Sequence, residues 1–528
     1  MAERLPLFVV TAPGLEQVAA AELRAIGAAR PRPVEGGVEL RGSRELLYDA
    51  NLRLRTASRV VVRVSQFHAN AFHELERRAR QVPWERWVSP GTPVRFRVTA
   101  RKSRLYHSDA VAERLLRSVS ERLKTEVAPA EGGEDEEQEG AAGQLFVVRL
   151  LHDTVTVSAD ASGALLHLRG YRQAVAKAPL RETVAAAMLI ASGWDGEHPL
   201  VDPMCGSGTI PIEGALMARR IAPGLATGAP RDYAFRRWPD FDEATLVRVV
   251  ERAAGEMLAS SPAAIIASDR DAGAISATES NAERAGVRPD ITIEKRPATA
   301  LMPPEGPGWL VTNPPYGVRV GEKAPLRDLY AALGRMARER LGGWTVAMLT
   351  ADRALERQLG MELEEGFATR NGGIPVRVWV WPGNTSDQTV IAHIRHHTDR
   401  PPVLLRPTVV VDVAQGVVSN NQGRLVRRLL DHFGLTRYLT VAWGEEDMPA
   451  PKPDPRGVRL AAERLGVEPT ACVYVGDAPG DLRTARAAGM PAIGVAWGIS
   501  PRSVLEREDF AAVIDHPRAL TAALAGLA

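Results

Sequence analysis

The chain has 528 residues, of which 45% are hydrophobic and 25% are charged, and its formal net charge is +2. A chain of this length is too long for one hydrophobic core, so three or four domains are expected. No apolar run approaches the roughly 20 residues of a membrane-spanning helix. Only two cysteines occur, which excludes a disulfide framework and a cysteine-based zinc site.

The amino-terminal sequence indicates the cellular compartment of the protein, and the distribution of charge indicates its class of binding partner. The first residues, MAERLPLFVV, lack a long apolar core and a small-residue cleavage site, so no secretion signal is expected, and a cytoplasmic location fits. Residues 51–125 hold seventeen Lys and Arg against six Asp and Glu, and the acidic stretch 131–140 predicts a solvated loop. This basic excess favours a nucleic-acid partner, although an arginine-rich soluble surface has the same composition.

Residues 1–165 predict small mixed α/β modules. The first stretch predicts a strand, a turn, an amphipathic helix and a second strand in GGVELRGS. A strand and a helix follow, and then the strand TPVRFRVTAR, whose alternating arginines predict a solvated basic face. The segment SDAVAERLLRSVSERL predicts a helix with Ser108 and Asp109 as its cap. Two short strands in LFVVRLLHDTVTVSAD complete this part.

The pattern in residues 170–397 predicts a doubly wound sheet. A helix in PLRETVAAAMLIASGW is followed by a strict alternation of strands and helices. The strands are PLVDP, AAIIASD, DITIEK, WLVTNPP, WTVAMLT and VRVWVWPG. In such sheets, ligands bind at the carboxyl ends of the strands. The proline-rich segment 398–407 predicts a linker, and residues 408–528 repeat the alternation on a smaller scale.

A glycine-rich turn follows the first strand of this sheet. Asp202 ends the strand, Cys205–Gly208 form a tight turn, and a helix begins near Thr209. Such a turn offers free N–H groups and lets a ligand approach the backbone, which predicts a nucleotide-like ligand. The segment lacks the Gly-Lys-Ser/Thr of a phosphate-binding loop and the third glycine of the dinucleotide fingerprint. The alternative is a turn needed only for helix–sheet packing.

Two further strand ends carry polar residues. Asp269 ends the second strand, where a carboxylate can accept hydrogen bonds from ribose hydroxyls. Asp271 is equally placed for that role, or it caps the next helix. NPPYG, at 313–317, follows the apolar run WLV, and its two prolines must end the strand. It is either a simple turn or a platform for a flat substrate that bears an amine.

DPMCGSGT and NPPYG, in this order, resemble the motifs of class I S-adenosylmethionine-dependent methyltransferases that modify exocyclic amines of bases. Residues 1–400 resemble the bacterial large-subunit rRNA guanine-N2 methyltransferases that carry a THUMP domain. The other matching segments are GLEQVAAAEL, GGVELRG, KSRLYHSDAVAE, LHLRGYR and APLRETVAAAMLIASGW. The resemblance implies an α/β multidomain chain with a ferredoxin-like module at 1–55, a THUMP RNA-binding domain at 56–165 and a Rossmann-like methyltransferase domain at 170–397.

The resemblance also implies the cofactor, the substrate and the residues that contact them. S-adenosylmethionine would be the methyl donor and 23S rRNA the substrate. The Cys205–Gly208 turn would hold the methionine end and Asp269 the ribose. The implied cofactor-binding residues are Asp202, Pro203, Cys205, Gly206, Ser207, Gly208, Asp269 and Asp271. Relatives carry an aspartate for the adenine amine where this chain has Pro297, so the chain departs from the family at that contact.

The same resemblance assigns the target base to the NPPYG segment. A base amine is a poor nucleophile because its lone pair is delocalised into the ring. Asn313 Oδ1 and the Pro314 carbonyl can each accept one N–H of the amine and stabilise the positive charge that develops. Pro315 stiffens the segment, Tyr316 can stack on the base and Gly317 leaves room. A base in a duplex would have to be flipped out or already unpaired.

Residues 408–528 resemble the haloacid dehalogenase-like phosphatases in VVSNNQG, PKPDP and YVGDAPGDLRTARAAGM. The resemblance implies that Ser419 binds phosphate and that Lys452 balances its charge. It also implies that Asp477 and Asp481 hold magnesium.

That chemistry requires a nucleophilic aspartate with a second acid two residues later. The nearby candidate is Asp412, and Ala414 occupies the second position. Asp412 lies seven residues before Ser419, whereas two parallel strands need a crossover of about a dozen residues. The tail is therefore expected to be an incomplete HAD-like domain.

The leading interpretation is a 23S rRNA guanine-N2 methyltransferase. A tRNA guanine-N2 methyltransferase is the nearest alternative, since THUMP domains also dock tRNA. A phosphatase that its amino-terminal part delivers to RNA is disfavoured by the missing nucleophile. A non-catalytic RNA-binding or assembly protein is disfavoured by the intact NPPYG.

Overall fold

The computed structural model describes residues 3–130, 143–173, 180–316, 323–361, 363–381, 416–418, 427, 439–496, 500, 502–514 and 519–525. The chain divides into two compact units, residues 1–384 and 385–528. Several expectations lie outside the described residues: the acidic loop at 131–140, Gly317, the linker at 398–407, Asp412, Ala414 and Ser419. Within the described part of the chain, every helix is too short or too polar to cross a bilayer.

The amino-terminal half of the first unit is built on one sheet. Its strands are β1 (Leu5–Thr11), β2 (Arg32–Val34), β3 (Gly37–Gly42), β4 (Ala57–His68), β5 (Val94–Arg101), β6 (Gln144–Leu151) and β7 (Thr154–Asp160). Its helices are α1 (Glu16–Ala25), α2 (Arg44–Arg53), α3 (Phe72–Ala79) and α4 (Ser108–Leu123). Among the described residues, the strand order is β2-β3-β1-β4-β7-β6-β5, and the β5–β6 pair is parallel while the other neighbours are antiparallel.

Strand β4 joins the two expected amino-terminal modules into this continuous sheet. It pairs with β1 on one side and with β7 on the other. Val60 and Val62 of β4 are almost fully buried, so the strand contributes to the common core. The boundary expected between residues 55 and 56 therefore lies just before a strand that both halves use.

The expected cap of α4 is wrong by one position. His107 is the N-cap residue, and Ser108 is already the first helical residue. Asp109 lies in the first turn, where a negative charge favours the positive end of the helix dipole.

The second half of the first unit is the expected doubly wound sheet. Its strands are β8 (Leu200–Asp202), β9 (Ile265–Asp269), β10 (Ile291–Lys295), β11 (Trp309–Thr312), β12 (Thr345–Thr350), β13 (Glu364–Asn371) and β14 (Ile374–Trp381). Its helices are α5 (Glu182–Ala191), α6 (Thr209–Ala218), α7 (Glu243–Gly255), α8 (Ala272–Arg284), α9 (Lys323–Arg340) and α10 (Arg353–Gln358).

The order of these strands places three motif-bearing strands side by side. Among the described residues the order is β10-β9-β8-β11-β12-β14-β13, with the first five parallel and β14 antiparallel to both neighbours. Val201 and Leu310 are fully buried, as expected for strands that helices cover on both faces. The carboxyl ends of β9, β8 and β11 therefore form one edge of the sheet.

The second unit contains short parallel strands and helices. Its strands are β15 (Gly416–Val418), β16 (Val441–Trp443), β17 (Tyr474–Gly476), β18 (Ala492–Val495) and β19 (Ala512–Ile514). Its helices are α11 (Arg456–Arg464), α12 (Pro479–Ala488), α13 (Arg502–Leu505) and α14 (Leu520–Ala525). Strands β17, β18 and β19 pair in parallel in that order, and β15 pairs in parallel with β16.

Candidate active site at three strand ends

The glycine turn after β8 combines a packed position with an open one. Gly206 and Gly208 both have positive φ, at 55° and 84°. A methyl group on Gly208 would lie 2.7 Å from the Thr278 side chain, so this glycine permits close packing against α8. A methyl group on Gly206 would meet none of the described atoms within 4 Å. Gly206 therefore presents open space to a ligand, whereas Gly208 serves the fold.

Helix α8 holds the turn in place from behind. Thr278 Oγ1 donates a 3.0 Å hydrogen bond to the Gly206 carbonyl, and Asn281 Nδ2 donates a 2.9 Å bond to the Ser207 carbonyl. Both donors are buried and lie three residues apart, on one face of the helix. Cys205 N also donates a 3.0 Å bond to the Ser268 carbonyl of β9. The turn is thus a preorganised backbone surface.

Asp269 connects the turn to the end of β9. Its Oδ2 accepts a 3.1 Å hydrogen bond from Gly206 N, and its Oδ1 accepts a 3.0 Å bond from Asp271 N. Asp271 is the N-cap of α8, and its Oδ1 accepts a 2.8 Å bond from Gly273 N. Each oxygen of Asp269 retains acceptor capacity toward a hydroxyl, because a carboxylate oxygen has two lone pairs.

Asp202 is a buried carboxyl between β8 and β11. Its side chain is 2% exposed, and Oδ1 accepts hydrogen bonds from Thr312 Oγ1 at 2.7 Å and from Met204 N at 3.1 Å. Burial raises the pKa of Asp202 to about 7, against the opposing effect of these two hydrogen bonds. The nearby charge of Asp269 raises the pKa further.

Asn313 lies directly after β11, where its side-chain oxygen is buried. Among the described residues, Asn313 Oδ1 has no hydrogen-bond partner. Buried polar atoms are rarely left without a partner, so this oxygen is a candidate acceptor for a ligand. Pro314 is buried and Pro315 is exposed. Tyr316 is half-buried, and its hydroxyl accepts a 3.2 Å hydrogen bond from Asn371 Nδ2.

The structure brings the expected residues of the first unit to one edge. Asp202, the Cys205–Gly208 turn, Asp269 and Asn313 follow three adjacent strands. Pro297 lies beside them as the N-cap of a short 3-10 turn, and Arg296 N donates to the Asp269 carbonyl. The sequence interpretation missed Thr278, Asn281, Thr312 and Asn371.

One of the missed residues, Thr312, had a sequence signal. A threonine that ends the apolar run WLVT places a hydroxyl next to the motif. Thr278 and Asn281 share a helix face by their spacing, but nothing in the sequence says which element that face contacts. Nothing in the sequence indicated a role for Asn371, because the strand that carries it was not predicted.

Among the candidate residues of the second unit that the structure describes, Asp481 contacts both Lys452 and the backbone of Asp477. Asp481 Oδ2 accepts hydrogen bonds from Asp477 N at 3.1 Å and Ala478 N at 3.2 Å. Its Oδ1 accepts from Lys452 Nζ at 2.9 Å and from Tyr474 Oη at 3.3 Å. A metal ion would compete with the Lys452 ammonium for the same oxygen, so these residues do not fit a magnesium site as they stand. Within the described residues, no group of three His, Cys, Asp or Glu side chains is arranged to hold a metal.

Comparison with protein families gives three matches along the chain. The RlmL ferredoxin-like domain matches residues 6–61, the RMKL-like methyltransferase domain matches residues 169–378, and the haloacid dehalogenase-like hydrolase family matches residues 411–495. The first range includes the beginning of β4, and the second contains the whole candidate site. The expected combination of a ferredoxin-like module, a Rossmann-like methyltransferase domain and a small HAD-like region is confirmed.

Individual relatives match more than two thirds of this chain. A Listeria monocytogenes protein, provisionally designated an N6-adenine-specific DNA methylase, is 28% identical with a TM-score of 0.65 over 72% of this chain and 97% of that chain. SMU.472, provisionally designated a methyltransferase and solved in complex with SAH, is 28% identical with a TM-score of 0.64 over 73% of this chain and 99% of that chain.

A further relative, slr0064 of Synechocystis sp., is provisionally designated an RNA methyltransferase. It is 32% identical over 371 residues, which are 70% of this chain and 94% of the relative. With the glycine turn, the strand-end acids and Asn313 in place, the chain belongs to the RMKL-like methyltransferase family.

Proposed function

We propose that this chain transfers a methyl group from S-adenosylmethionine to the exocyclic N2 of a guanine in 23S rRNA. The observation that carries the proposal is the buried Asn313 Oδ1, which has no partner among the described residues. An exocyclic amine offers two N–H donors, and one of them would satisfy this oxygen. The neighbouring acids Asp202 and Asp269, by contrast, already accept hydrogen bonds from within the fold.

The residues of the turn fit the cofactor. The open space at Gly206 allows the methionine end to approach the backbone of Cys205–Gly208. Asp269 would receive the ribose hydroxyls through the lone pairs that its two backbone contacts leave available. Pro203, which is buried behind the turn, and the Asp271 cap would keep both segments in place. The binding of SAH by the relative SMU.472 supports this assignment.

The chemistry follows from the NPPY segment. When bound, S-adenosylmethionine supplies an electrophilic methyl group on a sulfonium. Asn313 Oδ1 and the Pro314 carbonyl each accept one N–H of the base amine and aim the nitrogen at that methyl group. As the N–C bond forms and the methyl–sulfur bond breaks, positive charge would grow on the nitrogen, where the two fixed acceptors would stabilise it without reorganising. The cofactor would leave as the neutral thioether, and one N–H proton of the amine would pass to water. Tyr316 stacks on the base and limits its rotation.

RNA is the substrate class that we favour. The Synechocystis relative supports it by its designation as an RNA methyltransferase. Residues 56–125, which lie in the segment that we assign to a THUMP domain, hold 15 Lys and Arg against 6 Asp and Glu. Strand β5 contributes Arg95, Arg97 and Arg101, and the exposed Lys102 and Arg104 follow it. Such a surface attracts phosphates without reading sequence, so the target guanine would be selected by its unpaired state and by the site.

The test of this proposal is Asn313→Ala under single-turnover conditions. Losing one preorganised acceptor costs about 3 kcal/mol at the barrier, or about a hundredfold in rate. Substrates are 23S rRNA fragments, tRNA and duplex DNA, each with the same labelled cofactor. The affinity for S-adenosylmethionine, measured by calorimetry, should stay close to that of the unmodified protein, because Asn313 contacts the base. A methylation rate near that of the unmodified protein would refute the role of Asn313.

A further inference from the structure

Asn371 links the outer hairpin of the sheet to the NPPY segment. It is the last residue of β13 and pairs with Ile374 at the start of β14. Strand β14 runs antiparallel to β12, so the turn of this hairpin lies at the same edge of the sheet as the ends of β8, β9 and β11. There Asn371 Nδ2 donates the 3.2 Å hydrogen bond to Tyr316 Oη.

The burial of Asn371 is not explained by the hairpin itself. The residue is 4% exposed, and its Oδ1 has no partner among the described residues. A buried amide with an unpaired oxygen weakens a fold relative to an apolar residue of similar shape. In the described structure, the contact that this amide makes with another side chain is the one to Tyr316.

The position of Tyr316 depends on that contact. Pro314 and Pro315 have no N–H to donate, so hydrogen bonds from their own amides cannot anchor the segment. The Tyr316 hydroxyl lies on the long axis of the ring, and a hydrogen bond there fixes where the ring tip points. Rotation about that axis remains, and the ring also packs against buried apolar side chains of the first unit.

We propose that Asn371 is a positioning residue for methyl transfer, which holds the hydroxyl end of the Tyr316 ring in the place that sets the base amine against Asn313. The inference rests on the proposed function, because it requires the NPPY segment to be the base platform. It adds a residue from the outer hairpin of the sheet to that platform.

The test compares four variants by single-turnover rate, RNA affinity and cofactor affinity. Asn371→Ala and Tyr316→Phe each remove one partner of the hydrogen bond, and each should lower the rate at saturating RNA about tenfold, the loss expected for one such contact. If Asn371 acts through the Tyr316 hydroxyl, the double variant should be no slower than either single variant. Cofactor affinity should not change.

Thr369→Val is the matched control. Thr369 lies two residues earlier on the same face of β13, is equally buried, and its hydroxyl has no partner among the described residues. Replacing it with an isosteric apolar side chain perturbs the same strand and leaves both partners of the hydrogen bond between Asn371 and Tyr316 in place. This variant should keep the rate of the unmodified protein.

The outcomes separate the inference from the proposed function. An Asn371→Ala rate equal to that of the unmodified protein, or a double variant whose loss is the product of the two single losses, would overturn the positioning role. If Asn371→Ala fails to fold, the rate of Tyr316→Phe becomes the test of the positioning role. A single-turnover rate of Tyr316→Phe equal to that of the unmodified protein would overturn that role as well. A fully active Asn313→Ala would instead remove the base platform, whereas an inactive Asn313→Ala beside a fully active Asn371→Ala would refute only the inference.

Discussion

Thr312 Oγ1 donates a 2.7 Å hydrogen bond to Asp202 Oδ1 and thereby joins the ends of two neighbouring strands. Asp202 begins the turn that we assign to the cofactor, and Thr312 precedes the segment that we assign to the base. Both side chains are buried. The two halves of the candidate site are thus connected by a contact that water does not reach.

Asp202→Asn should make the stability of the cofactor-free protein less dependent on pH. The pKa of Asp202 is raised to about 7 by burial, above its value in the unfolded chain. Between about pH 4 and pH 7 the folded state therefore binds more protons than the unfolded state, and the free energy of unfolding falls as the pH rises. An asparagine side chain does not ionise, so the variant should not lose this free energy of unfolding as the pH rises. Its amide oxygen can still accept the hydrogen bond from Thr312 Oγ1.

Thermal and denaturant unfolding at two pH values measure this effect. The gain in unfolding free energy of Asp202→Asn over the unmodified protein should be larger at about pH 8 than at about pH 5, by on the order of 2 kcal/mol. A gain that is equal at both pH values would show that Asp202 is ionised in the fold at low pH.

Replacing Gly206 and Gly208 by alanine, one at a time, should affect cofactor affinity in one variant and protein stability in the other. Gly208→Ala forces a methyl group against Thr278 at a backbone angle that disfavours it, so the melting temperature should fall. Gly206→Ala has open space among the described atoms, so it should cost less stability and mainly weaken S-adenosylmethionine binding. Calorimetric titration and thermal unfolding of both variants measure the two effects, and equal loss of affinity with equal loss of stability would contradict the distinction.

Gly14→Ala should destabilise the first unit more than Gly27→Ala. Both glycines have nearly the same positive φ, at 87° and 88°. A methyl group on Gly14 would overlap the Ala368 carbonyl of β13, whereas one on Gly27 would meet no described atom within 4 Å. The backbone strain is matched, so the difference in unfolding free energy reports the contact between the amino-terminal turn and β13. Equal destabilisation would show that this contact contributes nothing.

The carboxyl-terminal unit should not hydrolyse phosphate esters. Burial lowers the pKa of Lys452, but Tyr474 and Asp481 outweigh it and raise the pKa, so the ammonium stays charged beside Asp481. The sequence also places Ala414 where a second acid would be needed to protonate a leaving group. The full chain should show no turnover of p-nitrophenyl phosphate with magnesium, and turnover that Asp412→Asn abolishes would contradict this.

The sequence predicted those parts of the site whose signal is local. The strands that end at Asp202 and Asp269 and the strand before Asn313 are apolar runs, and glycines and prolines mark the turns after them. Strand β13 was not predicted, because its edge position leaves alternate residues exposed and its first residues are acidic. The contact of Asn371 with Tyr316 depends on that strand and joins residues 55 positions apart, which no local pattern encodes.

The most direct test of the central claim is mass-spectrometric mapping of methylguanosine in rRNA and tRNA from a strain that lacks this chain. We predict that N2-methylguanosine disappears from one position of 23S rRNA, returns with the unmodified chain and does not return with Asn313→Ala. A 23S rRNA that is unchanged in the deletion strain, or a methyl group lost from tRNA instead, would contradict the proposed substrate.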